Sequence, residues 1–313
     1  MILLKQMVVL FLIMMIGALC RKLGLLNDES SKKISGLVVN VANPALILSA
    51  GINQKSSLRG RQLLVTVCLA VGIYLSLIIL SIIVTKILRA DKKDAGLYRV
   101  MFIFSNIGFM GFPLIRAAYG SEALLSASIF LIPYNVLIYT MGISEMTDER
   151  DGSRNAAKKM SVKDYLRKIF NIGVIACILS IFLYMTKVHV PDVIENTITI
   201  LSGLTAPLSM MIIGDSMTKI DFRKMFKDYR LFVFAVIKLL IIPIAGVFIL
   251  KASGFNGMLL EVCLIMLSTP VGSMTVMLAA QYDGDYELAS KGVALTTVLS
   301  VVTIPVVSFI TGV

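Results

Sequence analysis

Two stretches of the chain carry the residue types that could do chemistry in an otherwise apolar sequence. The first, Ser105–Pro113, reads SNIGFMGFP, and the second, Ser268–Ser273, reads STPVGS. Proline cannot donate a backbone hydrogen bond, and its ring clashes with the carbonyl group four residues earlier, so each stretch should break a helix. A helix that begins at such a break presents free N–H groups and the positive end of its dipole, which suit an anion. Two breaks in matching positions predict a binding site for a small anionic molecule.

Polar side chains near these breaks are the candidate ligands, because amide and hydroxyl groups can hold a carboxylate without a full buried charge. The predicted substrate-binding residues are Asn43, Asn106, Gly111, Asn135, Tyr139, Thr269 and Ser273. Asn135 and Tyr139 are spaced i, i+4 and therefore share one face of a helix. Two alternatives remain open. Proline and glycine also merely kink membrane helices, and Asn, Ser and Thr also hydrogen-bond between helices.

Four charged residues fall within or beside apolar stretches: Glu145, Asp215, Lys238 and Glu261. A charge within a membrane is by default a candidate functional residue. Lys238 is the best candidate for a gate or a structural pair, although it lies about 12 Å along a helix from Arg230 and could extend to the cytoplasmic interface. The acidic residues are expected near helix ends, and none is assigned to a proton relay.

Metal and cofactor chemistry is not expected from this sequence. The four cysteines are far apart, no CxxC is present, and one histidine cannot build a zinc site. The residues concerned are Cys20, Cys68, Cys177, Cys263 and His189.

An intramembrane aspartyl protease is the alternative from another class of protein. Pro44–Leu46, Gly214-Asp215 and Tyr282-Asp283 resemble the PAL, GxGD and YD motifs of such enzymes. However, the order of the motifs is reversed, Ile212 stands where the first glycine of GxGD should be, and two carboxylates would have to meet. The sequence therefore favours a protein that is not an enzyme.

The composition points to lipid as the solvent. Of 313 residues, 57% are hydrophobic and only 16% are charged, and the mean hydropathy is +0.88. A soluble domain usually carries about 25% charged residues. A net charge of +11 would suggest nucleic acid in a soluble protein, but Lys and Arg also crowd the cytoplasmic loops of membrane proteins. The expected partner is the bilayer and not nucleic acid.

Apolar runs of about 18–25 residues recur between short polar breaks. They predict an all-α integral membrane protein with ten transmembrane helices. The predicted helices span 3–22, 33–51, 62–87, 98–117, 123–145, 168–187, 193–217, 230–251, 257–281 and 286–310. The second and seventh have the weakest signals, because polar residues and prolines interrupt them.

The distribution of Lys and Arg predicts the orientation. If the N-terminus is outside, the inside loops hold 22 of the 30 Lys and Arg residues and the outside segments hold 7, with Lys238 inside a helix. Both termini are therefore predicted to lie outside.

The predicted helices form two groups of five. A polar segment, 147–167, contains DERDGSRNAAKKM and is predicted to be a cytoplasmic linker between halves 1–146 and 168–313. The halves share similar segments, AAYGSEALLS from Ala117 and AAQYDGDYELAS from Ala279. Because five is odd, two related halves must insert with opposite topology, which is the pattern of an inverted repeat. Chance similarity between apolar sequences is the alternative.

Three segments give the chain a family resemblance. They read LGLLNDESSKKISGLVVNVANPALIL, NIGFMGFPLIRAAYG and STPVGSMTVMLAAQYDGDYELASKGVALTTVLSVVTIPVV. With these segments the chain resembles, over essentially its whole length, the auxin efflux carrier family, which includes the plant PIN-FORMED transporters and bacterial malonate or malate carriers. The central loop is shorter than in many plant members, and Ile172 stands where many relatives have proline. Both departures argue against auxin itself as the substrate.

The resemblance implies a secondary transporter, or permease, of small organic anions such as mono- or dicarboxylates in the cell membrane. The fourth and ninth helices would cross at their prolines, and the predicted crossing residues are Gly108, Pro113, Pro270 and Gly272. A transport bundle would slide against a scaffold formed by the first, second, sixth and seventh helices. The resemblance is also compatible with a homodimer. A channel or a membrane sensor on the same fold is the alternative.

Overall fold

The computed structural model describes residues 2–52, 60–147, 166, 169–218, 228–282 and 284–313, and the named elements in these ranges are helical. We label the helices in chain order. They are α1 Ile2–Lys22, α2 Asp28–Ile52, α3 Gly60–Ile87, α4 Lys92–Ile103, α5 Ile107–Tyr119, α6 Ser121–Met146, α7 Ile172–Thr186, α8 Asp192–Met217, α9 Tyr229–Ala252, α10 Gly257–Ser268, α11 Ser273–Gln281 and α12 Tyr286–Thr311.

Among the described residues, seven helices are long and apolar enough to cross a membrane: α1, α2, α3, α6, α8, α9 and α12. The fourth and ninth predicted helices are each divided in two, as α4 with α5 and α10 with α11. The sixth is represented by the shorter apolar helix α7. The all-α membrane class is therefore confirmed, whereas the ten-helix inverted repeat stays a prediction. The predicted linker lies almost wholly outside the described residues.

Asparagine and aspartate at the polar breaks begin several of these helices. Asn27 starts α2 with a capping box, in which its side chain accepts from the Ser30 N–H at 2.8 Å. Asp228 and Asp285 accept from the backbone three residues later at the starts of α9 and α12. Such caps stabilise a helix by about 1 kcal/mol each. The cap at Asn27 explains why α2 begins five residues before the apolar run that predicted it.

Three prolines lie directly after widened, π-helical turns. The turns Val38–Ala42, Ile107–Gly111 and Ile237–Ile241 are followed by Pro44, Pro113 and Pro243. In each turn the residue before the proline donates its N–H to the carbonyl five positions earlier. The extra residue moves carbonyl groups out of the usual register, which lets a helix continue through a proline that would otherwise break it. A fourth π turn, Ile138–Gly142, lies within α6.

Helices α1, α2, α7 and α8 pack as one group, which we call the first bundle. Glycine residues lie where the helices of this bundle approach one another most closely. A Cβ atom placed on Gly17 of α1 would lie 2.1 Å from the Met211 carbonyl oxygen, and one on Gly214 of α8 would lie 1.9 Å from that of Met14. Similarly, a Cβ on Gly51 of α2 would lie 2.2 Å from a carbonyl oxygen of α7. Small residues of this kind let membrane helices bring their backbones into contact.

The remaining helices, α3–α6 and α9–α12, form what we call the second bundle. The Arg99 guanidinium lies 2.7 Å from the Glu145 carboxylate and joins α4 to α6. A Cβ placed on Gly96 would lie 2.0 Å from the Glu145 carbonyl oxygen. Helix α9 packs against α10, where Gly246 faces Leu267, and against α12. Each bundle therefore has its own close internal contacts.

The glycine contacts between α1 and α8 predict that a glycine-to-alanine substitution has different effects on thermal stability at two sites. Gly214→Ala should lower the unfolding temperature of the purified protein in detergent by several degrees, because overpacking costs about 1–3 kcal/mol. Gly72→Ala is the matched control, since a Cβ on Gly72 meets no atom within 4 Å. It should leave the temperature unchanged or raise it, because alanine is the better helix former. Equal shifts in a thermal-shift assay would contradict the packing described.

Candidate functional site

The two interrupted helices meet at their unwound segments, 104–106 and 269–272. The Asn106 N–H donates to the Pro270 carbonyl oxygen at 2.8 Å, and the Gly272 N–H donates to the Phe104 carbonyl oxygen at 2.8 Å. Ser105 and Val271 thereby form an isolated antiparallel bridge. The structure thus brings together the two stretches that the sequence singled out.

Local sequence explains why the second segment is extended. Residues before a proline are biased away from helix, and Thr269 has the extended angles φ −66° and ψ 146°. A Cβ atom on Gly272 would lie 3.0 Å from the Ser105 carbonyl oxygen and 3.1 Å from that of Phe104, so glycine is the residue that fits this approach. The Thr269 hydroxyl donates to the Met266 carbonyl oxygen at 3.2 Å, which gives that carbonyl a partner.

In the first interrupted helix, the break does not lie at Pro113. The chain is unwound at Phe104–Asn106, and Pro113 lies further along, within α5. The π turn Ile107–Gly111 separates the two and accommodates the proline. Of the predicted crossing residues, Pro270 and Gly272 therefore lie at the backbone pair, whereas Gly108 and Pro113 lie in the helix that follows it.

Asn106 is the side chain with the clearest capacity to bind a ligand. It is only 3% exposed, and its Oδ1 accepts from the Phe109 N–H at 3.3 Å. Its Nδ2 is buried and finds no hydrogen-bond partner among the residues that the structure describes. An unsatisfied buried donor is costly and calls for an explanation. A ligand that accepts hydrogen bonds would supply the missing partner.

Asn43, Gly111 and Thr269 lie around the same helix start. The Asn43 Nδ2 would be 3.4 Å from a Cβ on Gly108, and its Oδ1 is buried without a hydrogen-bond partner in the described part of the chain. A Cβ on Gly111 would lie 3.6 Å from Thr269 Cγ2. Ser273 is half-buried at the first position of α11. Asn43 belongs to the first bundle and the others to the second, so these predicted residues border the junction between the bundles.

Asn135 and Tyr139 have different surroundings from those predicted. Asn135 donates to the Leu131 carbonyl oxygen at 2.8 Å and accepts from the Asn171 amide, which joins α6 to the start of α7. This is the interhelical bonding that was the alternative to a ligand role. Tyr139 is half-buried in the π turn of α6. Their roles as substrate ligands stay predictions.

Lys238 supports the unwound segment of the first interrupted helix. It lies in a π turn of α9 and is 3% exposed. Its Nζ donates to the Phe102 carbonyl oxygen at 2.8 Å and to the Ser105 hydroxyl at 3.0 Å. It also lies 5.8 Å from the centre of the Phe102 ring. The ammonium therefore does not extend toward the Arg230 end of α9 but is directed at the backbone pair.

Three hydroxyl groups at the site were not predicted. The Thr296 hydroxyl on α12 accepts from the Val271 N–H at 3.1 Å. The hydroxyls of Ser268 and Thr275 are buried and have no hydrogen-bond partner within the described ranges. Ser268 directly precedes the second break and belongs to the stretch that the sequence singled out, which is the signal that could have identified it, whereas Thr275 lies in the first turn of α11. Thr296 lies in a long apolar helix and carries no such signal.

The predicted acidic residues are mostly paired. Glu145 bonds Arg99, and Asp215 lies 3.5 Å from Arg21 in the first bundle. Asp283, the second residue of the protease-like pair, lies outside the described residues. No group of three or more His, Cys, Asp or Glu side chains in the described ranges is placed to hold a metal ion.

Comparison with known proteins identifies the family. A family model described as membrane transport protein matches residues 2–308. The chain belongs to this family. The resemblance to the auxin efflux carriers is thereby confirmed. Together with its long apolar helices, membership makes this chain a multi-pass integral membrane protein of a transporter family.

Two archaeal relatives align over nearly the whole chain. An uncharacterized transporter of Methanocaldococcus jannaschii is 24% identical over 302 residues, which cover 95% of this chain and 94% of the relative. An uncharacterized transporter of Methanothermobacter thermautotrophicus is 26% identical over 300 residues, which cover 95% of each chain. Both relatives are named transporters, which agrees with a protein that is not an enzyme.

The contact between Thr296 and Val271 predicts a stability difference between adjacent threonines. Thr296→Val should lower the free energy of unfolding by about 1–3 kcal/mol, because it leaves a buried N–H without its acceptor. Thr297→Val is the control, since the Thr297 hydroxyl bonds only a carbonyl of its own helix. Thermal unfolding of both variants in detergent measures the difference. If Thr297→Val is as destabilising as Thr296→Val, Thr296 has no special role at the break.

Proposed function

We propose that this protein is a secondary transporter of small organic anions, such as mono- or dicarboxylates, which bind beside the paired unwound segments and cross by alternating access. The observation that carries the proposal is the buried Asn106 amide, whose Nδ2 lacks a partner in the described part of the chain, at the start of α5 and next to the backbone pair. Transporters of several folds bind substrate where interrupted helices meet near the bilayer midplane.

The chemistry around Asn106 favours an anion. Helices α5 and α11 both begin at the backbone pair, so the positive ends of their dipoles lie beside it. The Asn106 Nδ2 and the Lys238 ammonium at the same place are hydrogen-bond donors. A carboxylate offers only acceptors, and charge-assisted hydrogen bonds to it are stronger than neutral ones. The site therefore suits a carboxylate better than a cation.

The backbone pair also supports an inverted repeat. Asn106 donates to Pro270, and Gly272 donates to Phe104, so each segment gives one hydrogen bond to the other. Two copies related by a two-fold axis in the membrane plane would exchange hydrogen bonds in this reciprocal way. We propose ten transmembrane helices, with repeats 1–146 and 168–313 and with the fourth and ninth helices crossing at this pair.

The two bundles support an elevator-like motion. Within each bundle, glycine residues bring backbones together, so the helices cannot slide without large rearrangement. Polar contacts between the bundles include single side-chain hydrogen bonds, such as Arg116 to Ser202 at 2.6 Å and Asn171 to Asn135. Such bonds can break and form again. The second bundle would slide against the first as scaffold, which matches the helices expected from the family resemblance.

Alanine substitution at Asn106 is the test of the proposal. Purified protein on a solid-supported membrane is exposed to a panel of mono- and dicarboxylates, and the transient currents are recorded. Asn106→Ala should raise the half-saturating concentration by about 10–100-fold, because hydrogen bonds to charged groups contribute about 1.5–3 kcal/mol. Asn40→Ala is the control, since Asn40 is exposed and bonds only a carbonyl of its own helix, α2.

The outcomes separate the competing functions. Saturable currents that show counterflow in the wild type and are weakened by Asn106→Ala alone support a carrier. Unitary conductance without exchange indicates a channel, and saturable binding without flux indicates a sensor. Unchanged transport by Asn106→Ala would show that the assigned site is wrong. Electroneutral transport gives no current. If the wild type shows no current with any acid, counterflow of radiolabelled acid therefore decides whether it transports.

We also propose that the protein lies in the cell membrane with both termini outside, as the distribution of Lys and Arg predicts. In a bacterial host, alkaline phosphatase fused after Val313 should be active and green fluorescent protein at the same position should be dark. Fusions at Ala157 in the linker should give the opposite result. A fluorescent C-terminal fusion would contradict the orientation.

A further inference from the structure

Lys238 lies deep within the membrane-spanning part of the second bundle. It is nine residues, about 14 Å, from the start of α9, which runs from Tyr229 to Ala252. The side chain is 3% exposed, and its Nζ lies 3.0 Å from the hydroxyl oxygen of Ser105 in the backbone pair. A charge at this position crosses a substantial part of the membrane field if the bundle moves.

The partners of Lys238 are neutral. They are the Phe102 carbonyl oxygen, the face of the Phe102 ring and the Ser105 hydroxyl. A carbonyl oxygen and a ring face only accept, so they match the N–H donors of a charged ammonium group. No carboxylate of the described residues lies within ion-pair distance of Nζ, in contrast to Arg99, which is paired with Glu145.

Among the charged residues that the structure describes in the second bundle, Lys238 is the one that is fully buried. Arg99 and Glu145 form an ion pair. Arg116 and Glu261 are only half-buried, and Arg116 donates to Ser202 of the first bundle. Lys238 therefore gives the fully buried, described interior of the empty bundle one positive charge with no opposite charge beside it.

Lys238 is also fixed to the segments that would hold the substrate. Its two hydrogen bonds join α9 to α4 and to the unwound residue next to Asn106. The Gly246 contact with Leu267 joins α9 to α10 as well. Any movement of the substrate site relative to the first bundle carries this charge with it.

We infer that Lys238 is the resident counter-charge of the transported anion. A bundle loaded with a monocarboxylate would then be neutral, and the empty bundle would carry one positive charge. The membrane potential would then change the rate at which the empty bundle moves back across the membrane. The movement of the loaded bundle would not depend on voltage. An inside-negative potential would draw the empty bundle inward and so drive net export. This inference rests on the proposed function and names the group that couples it to potential.

The test compares exchange with net transport in proteoliposomes of the full chain. Exchange uses only loaded bundles, whereas net efflux also needs the empty return. With [14C]pyruvate, exchange by the wild type should be unchanged when a potential of 100 mV is imposed with potassium and valinomycin. Net efflux should change several-fold, against a limit of about fifty-fold for one charge that crosses the whole field.

Lys238→Met should reverse this pattern, because the loaded bundle then carries one negative charge and the empty bundle is neutral. Pyruvate exchange would become voltage-dependent, and with [14C]malonate the voltage dependence of exchange would be steeper than in the wild type. Lys238→Arg retains the charge and should behave as the wild type. Lys251→Met is the matched control, since Lys251 lies near the end of the same helix and bonds the Thr311 carbonyl oxygen.

Each outcome decides one of the two claims. Voltage-dependent pyruvate exchange in the wild type, or equal voltage dependence in the wild type and Lys238→Met, would overturn the role of Lys238 and leave the transporter proposal intact. If Lys238→Met does not fold, the contrast between exchange and net efflux in the wild type still decides. If the wild type exchanges neither pyruvate nor malonate and also transports none of the wider acid panel, the proposed function is wrong. The role of Lys238 as counter-charge then falls with it.

Discussion

The site depends on one constraint, which is that a polypeptide in hydrocarbon must satisfy its backbone polar groups internally. Two apolar helices unwind inside the protein, and some of the freed backbone groups are satisfied by pairing the unwound segments with each other through Asn106, Pro270, Gly272 and Phe104. The pair accounts for four backbone groups only. Other backbone groups of the unwound segments hydrogen-bond to side chains from neighbouring helices. These bonds connect the helices of the second bundle to the pair.

Thr296 and Lys238 are the clearest examples of this recruitment. Each lies on a long apolar helix, and each reaches one of the two bridged residues, Val271 and Ser105 respectively. One supplies a neutral acceptor and the other a charged donor. The two supports are chemically unlike although the backbone pair is nearly symmetrical, so the site has a positive side. A lysine ammonium beside the pair matches the anion proposed above better than it would match a cation.

Much of this could be predicted from the sequence. Apolar runs located nearly every described helix to within a few residues, and the glycine and proline pattern identified both interruptions. Asn106 and Thr269 were predicted because they directly adjoin these interruptions. The shift of the first break away from Pro113 was not predictable, since it depends on a π turn whose formation is decided by packing. Asn135 has the same residue type as Asn106, and only the position of Asn171 distinguishes its interhelical bond from a free amide.

The oxygen and the nitrogen of the Asn171 side-chain amide bond different bundles. Its Oδ1 accepts from the Gly173 and Val174 N–H groups and so caps α7 in the first bundle. Its Nδ2 donates to Asn135 of the second bundle. If the bundles move apart, the amide loses one hydrogen bond while the cap stays intact, so the start of α7 remains ordered. Under the proposed sliding motion, a single asparagine would thus keep its cap on one helix while it releases its hydrogen bond to the other.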